Sequence, residues 1–128
     1  MSDYRDEFVR LGPLEPTAHA LIDYALALVP GSEFVRRGRR WVCQPNFVAF
    51  EVHAARSRHV TFNLSGRPHL FDDCPALRLS RTRASYSEFR LQSPRQLAAA
   101  ASYIATALLI QRHRKRTLPD LPALSRRL

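Results

Sequence analysis

The sequence predicts an α+β fold in which an antiparallel sheet of about four strands packs against an N-terminal and a C-terminal helix. Three observations carry this expectation. Apolar residues recur at helical spacing over Pro16 to Val29 and again from Leu97, the period changes to two between Glu33 and Leu64, and the links between the period-two runs are too short for parallel crossovers. A chain of 128 residues is the usual size of one domain. With 45% hydrophobic and 24% charged residues it has ordinary globular composition, so a single domain over residues 1–111 is expected, followed by a basic, flexible tail over 112–128.

The first helix is read from Leu21, Ile22, Ala25, Leu26 and Val29 on one stripe, with Pro16 in the first turn and Pro30-Gly31 as the stop. Strands follow at roughly Glu33 to Cys43, Phe47 to His53 and His59 to Leu64, where Val48, Phe50 and Val52, then Val60, Phe62 and Leu64, mark one face. Gln44-Pro45-Asn46 and Ala54 to Arg58 are hairpin-length links. A tight hairpin centred on Gly38 is the alternative that would split the first strand. Ser65 to Ser85, with Gly66, Pro68 and Pro75, reads as a long connection containing at most a short turn of helix. Tyr86, Phe89 and Leu91 suggest a fourth strand. The C-terminal helix has the clearest boundary: Ser93, Pro94 and Gln96 supply an N-cap, a first-turn proline and the third-position partner of a capping box.

The N-terminus has no basic region followed by an apolar run, so no secretory signal is expected. The longest apolar stretch, Leu97 to Ile110, has 14 residues, too few for a membrane span. No membrane partner and a cytoplasmic location follow as expectations. Cys43 and Cys74 are read as reduced, Cys43 as a small core residue.

The net charge of +9 and pI near 10.9 favour an anionic partner. Because 19 of the 20 basic residues are Arg and only Lys115 is Lys, the bias is also what a GC-rich genome produces. No glycine-rich phosphate loop, paired CxxC or HExxH is present, so no enzyme, catalytic residue, metal or cofactor is expected. The His69 to Cys74 stretch gathers potential metal ligands, but a polar loop is the favoured reading. His53 and His59 flank one hairpin, and a pocket joining them to Asp72 and Asp73 is what a ligand-binding or catalytic reading would require. His19 and Asp23, four residues apart, can pair on the first helix.

The strongest candidate is Phe34 to Trp41, in which Arg36, Arg37, Arg39 and Arg40 surround Gly38 and Trp41 closes the run. Arginines there can hold phosphates and Trp41 can stack on a base. The alternative is an edge strand whose charge discourages sheet association, with Trp41 in the core. Arg78, Arg81 and Arg83, and in the tail Arg112, Arg114, Lys115 and Arg116, extend a basic face if the fold brings them together.

Arg39-Arg40-Trp41 leading into Asn46 to Val52, then His59 to Leu64, then Ser85 to Leu91 running into Ser93-Pro94 and an alanine-rich helix, resemble a bacterial domain-of-unknown-function family. That family is sometimes labelled a predicted transport protein and occurs alone or fused to restriction-system proteins. More distantly the segments resemble the YjbR-like domains. The resemblance spans about Thr17 to Gln111. It implies a compact helix, antiparallel sheet, helix arrangement with an accessory or binding role, and carries over no functional residue. YjbR-like domains have been suggested to bind DNA through a sheet-containing face. The expected function is a non-enzymatic nucleic-acid-binding or nucleic-acid-associated domain using Arg36, Arg37, Arg39, Arg40, Trp41 and the tail. The alternative is a protein-protein interaction module with no nucleic-acid contact.

Overall fold

Asp3 caps a short helix. Its carboxylate accepts the Arg5 N–H at 3.1 Å and its own N–H donates to Asp6 at 3.1 Å, a reciprocal cap that satisfies donors a five-residue helix cannot satisfy itself. A computed structural model describes residues 3–82 and 85–127, with side chains through residue 114. Helix α1 (Tyr4–Phe8) runs into a 3₁₀ segment (Val9–Leu14) that turns at Gly12, whose φ of 58° favours glycine. Helix α2 (Glu15–Leu28) follows. Residues 3–14 carry no readable period, yet they bury Tyr4, Phe8, Leu11 and Leu14.

Six strands, β1 (Glu33–Arg37), β2 (Arg40–Gln44), β3 (Val48–His53), β4 (His59–Ser65), β5 (Ser80–Arg81) and β6 (Tyr86–Leu91), form one sheet in the order β1-β2-β3-β4-β6-β5. Every neighbouring pair is antiparallel. Two details raise the count above about four. Gly38, at φ 66°, turns the predicted first strand back on itself so that Arg37 faces Arg40, the tight-hairpin alternative. Within the long connection, Ser80 and Arg81 pair with Glu88 and Ser87.

Helix α3 (Leu97–Arg127) is preceded by a 3₁₀ turn (Pro94–Gln96) under the Ser93/Gln96 capping box. It lies against β3, β4 and β6 with α2 beside it, so one sheet face is covered and the other is open. The covered face carries Trp41, Cys43, Phe50, Val60, Phe62, Leu64, Phe89 and Leu91. Phe50 is central to this layer, its ring 5.0 to 5.7 Å from those of Tyr4, Phe8, Phe34 and Phe62.

Tyr103 of α3 ties down the long connection, donating its hydroxyl to the Leu77 carbonyl at 2.6 Å and accepting the Cys74 N–H at 3.1 Å. Tyr103→Phe keeps the ring but strands both backbone groups. It is expected to cost about 1–3 kcal/mol in urea unfolding, with faster proteolysis between Phe71 and Leu79 than elsewhere. Among the described residues no helix is long and apolar enough to cross a membrane.

Candidate functional site

Because β2 and β3 are antiparallel and pair Trp41 with Phe50, the tips of the β1–β2 and β3–β4 hairpins lie at the same end of the sheet. Arg36 and Arg39 from the first hairpin, Arg56 from the second and Arg10 from the 3₁₀ segment line one cleft there, of about 850 Å³, with His53, His59, Glu7 and Glu51. Arg10, Arg39 and Arg56 are exposed. Arg58 lies over the chain at Gly12, where an added Cβ would meet its guanidinium at 2.9 Å. Arginines from three separate stretches of sequence therefore meet.

Glu7 organises this end. Its carboxylate accepts the Trp41 indole N–H at 3.0 Å and the Arg36 guanidinium at 2.9 Å. The Arg36 guanidinium also sits 5.3 Å from the Trp41 ring centre, within cation–π range. Trp41 itself is 6% exposed, edge-on to Tyr4, because alternation along β2 puts it on the covered face with Cys43. The stacking role expected for Trp41 is thereby corrected: its ring is inside. Arg37 is exposed and donates to the Arg36 carbonyl, while Arg40 points to the open face, where it lines a second cleft.

The basic residues do not all converge. Helix α3 starts beside the end of β6 and runs toward the opposite end of the sheet, where Ile110 packs so closely on Gly66, just past β4, that a Cβ there would sit 2.8 Å from Ile110. At 1.5 Å per residue Arg112 lies roughly 22 Å along the helix from Leu97. Arg112 and Arg114 are thus far from the hairpin arginines, correcting the single basic face considered above. Lys115 and Arg116 lie outside the described side chains, and Arg83 outside the described residues. Arg81 sits on the short strand at the sheet's other edge.

His53 and His59 face each other in register with rings stacked at 4.5 Å and 16°. Ser57 Oγ is 2.8 Å from His59 Nδ1, and His53 Nε2 is 3.7 Å from Glu51. Burial pushes the His59 pKa down, with the neighbouring His53 and Arg90 acting in the same direction, which favours the neutral ring. Parallel rings in contact leave no room for a substrate between them. Asp72 and Asp73 line a different cleft with Arg78 and Tyr103, so the pocket that would join them to the histidines does not form. His19 pairs with Glu15 at 3.4 Å rather than with Asp23. Among the described residues no three His, Cys, Asp or Glu side chains are grouped to hold a metal ion. Both cysteines are free, and burial pushes the Cys43 thiol up to about 11.

The open face joins Arg40, His53 and His59 to residues with no signal in the sequence beyond strand alternation. Ala49, Thr61, Asn63 and Ser65 form a floor of small side chains in mid-sheet, and Arg40, Glu51, His53, Tyr86, Glu88 and Arg90 stand around it, enclosing about 640 Å³. Alternation along β2, β3, β4 and β6 turns these residues outward, Tyr86 standing with Glu88 and Arg90 rather than with Phe89 and Leu91 as expected. Only the register, Asn63 between Ala49 and Glu88 and Thr61 between Glu51 and Arg90, makes them one basin.

No family model, curated protein or solved structure matches the chain.

Proposed function

We propose that this domain binds nucleic acid without chemistry of its own, holding the phosphate backbone at the end of the sheet where the two hairpins meet. The observation that carries the reading is the convergence of Arg10, Arg36, Arg39 and Arg56 on one cleft, since guanidinium groups grouped on one surface match phosphate in charge and in fork geometry. Arg40 on the adjoining face extends the same charge. Membership of the bacterial family and the likeness to YjbR-like domains, resting on the strand and cap residues quoted above, belong to this proposal, as does an intracellular setting.

Fluorescence anisotropy of a labelled duplex across a salt series tests it. About four phosphate contacts are expected to give a log–log slope of roughly −3 to −4. A complex insensitive to salt, or none at 50 mM, refutes the reading and leaves the protein-interaction alternative, for which a specific partner binds independently of these arginines.

Glu7 sets a second expectation. Glu7→Gln keeps an acceptor for the Trp41 N–H but removes a negative charge from the cleft and releases Arg36 from its ion pair. Duplex affinity is expected to rise several-fold and the salt slope to steepen by up to about 1, while thermal stability falls slightly.

A further inference from the structure

The basin on the open face has a composition the hairpin cleft lacks. Its floor is small and polar, with Asn63 offering both a donor and acceptors. Its rim carries guanidinium groups at Arg40 and Arg90, carboxylates at Glu51 and Glu88, and the ring of Tyr86. Of the large apolar side chains left exposed among the described residues, Val9, Tyr24, Leu70, Tyr86 and Leu109, Tyr86 alone stands on this face, 40% exposed. A volume of about 640 Å³ lies in the range of small-ligand sites, roughly 300–1,000 Å³. Resting on the reading above, we propose that the basin receives an unpaired base of a single-stranded nucleic acid, so that the domain selects single strands over duplexes.

The chemistry of the basin sorts the parts of a nucleotide. Glu51 and Glu88 repel phosphate from their part of the rim, so phosphate is left to the guanidinium groups of Arg40 and Arg90, and a flat uncharged ring is what fits over the floor. Tyr86 supplies the π-face on which a base stacks. Glu88, beside Asn63 in the register, is as a carboxylate an acceptor and not a donor, so it favours a base edge bearing an amino group, as in cytosine or adenine, over thymine. In a duplex that edge is already paired and the ring is stacked between neighbours, and neither reaches a floor recessed below a charged rim. Arg40 stands at the tip of the same β1–β2 hairpin as Arg39, and the two clefts adjoin at Glu51, His53 and His59, so a strand held by the hairpin arginines lies next to the open face.

Labelled 12-mers of oligo(dC) and oligo(dT), and a mixed-sequence duplex of the same length, measured by anisotropy at 50 mM salt, test this. Oligo(dC) is expected to bind about tenfold more tightly than duplex, and more tightly than oligo(dT). Tyr86→Ala and Asn63→Leu, both on the solvent-facing side of the sheet, are each expected to lose about tenfold on oligo(dC) while duplex binding, which rests on the hairpin arginines, stays. Unchanged circular dichroism and melting show that the variants fold. Equal affinity for oligo(dC) and duplex, or equal losses on both in the variants, overturns the base-binding basin while the phosphate reading stands. No binding of any oligonucleotide overturns both.

Discussion

Phe50→Ala is expected to destabilise the domain by about 3–5 kcal/mol, a large share of the roughly 5–15 kcal/mol that holds a typical domain folded. Phe50 is fully buried and its ring lies against those of four other aromatic residues drawn from α1, β1 and β4. Truncation removes the transfer free energy of the ring and leaves a void that cannot collapse readily. The sheet backbone around it is fixed by pairing on both sides, to Trp41 in β2 and Phe62 in β4. Phe50→Leu, which refills most of that volume, is expected to recover more than half of the loss. Urea denaturation with a constant slope reads both values. A cost below about 1 kcal/mol for the alanine variant would mean that α1 does not pack against the sheet through this ring.

The contrast between β3 and the N-terminal segment explains how much of the fold was legible. Strand β3 announces itself because Val48, Phe50 and Val52 alternate with Ala49, Glu51 and His53, a period of two written into the sequence. The start of α3 is equally local, since Ser93, Pro94 and Gln96 act within one turn. Helix α1 has five residues and no period to read. It is specified by Tyr4 and Phe8 meeting rings contributed by residues 34 to 50, information that exists only after the sheet forms. The β1–β2 turn was obscured by its own arginines, because Arg36 to Arg40 lacks the Asn-Gly or Asp-Gly signature of such turns and leaves Gly38 as the lone signal. Strand β5 is two residues long and takes its pairing from β6.

The candidate site was legible as a set of residue types and not as a place. Arginine density named Arg36, Arg39 and Arg40, but the partners that make a cleft with them, Arg10 and Arg56, lie on either side in sequence and are joined by sheet topology. Trp41 looked like a stacking platform by proximity to the arginines. Its true environment is set by strand parity and by Glu7, 34 residues upstream. The direction of α3 likewise decides that Arg112 and Arg114 sit at the wrong end. The open-face basin is a matter of register alone: a slip of one residue between β3 and β4 would put Phe62 where Asn63 now stands.

Arg10→Gln, Arg39→Gln and Arg56→Gln combined are expected to weaken duplex binding on the order of 100-fold at 50 mM salt and to flatten the salt slope by about 3. The three are chosen because they are exposed, whereas Arg36 stacks on Trp41 and pairs with Glu7, so that its loss would mix folding with binding. Each arginine that neutralises a phosphate releases about one counterion, and three such contacts at roughly 1 kcal/mol apiece convert to the stated factor. Arg112→Gln with Arg114→Gln removes two charges, against three, from the opposite end of the molecule. If binding responded to net charge alone, these two changes would cost about two thirds as many logarithmic units as the three. If the hairpin end is the phosphate site, they leave the slope nearly untouched, and the ratio of the two slopes measured in one salt series separates a built site from a diffuse positive surface.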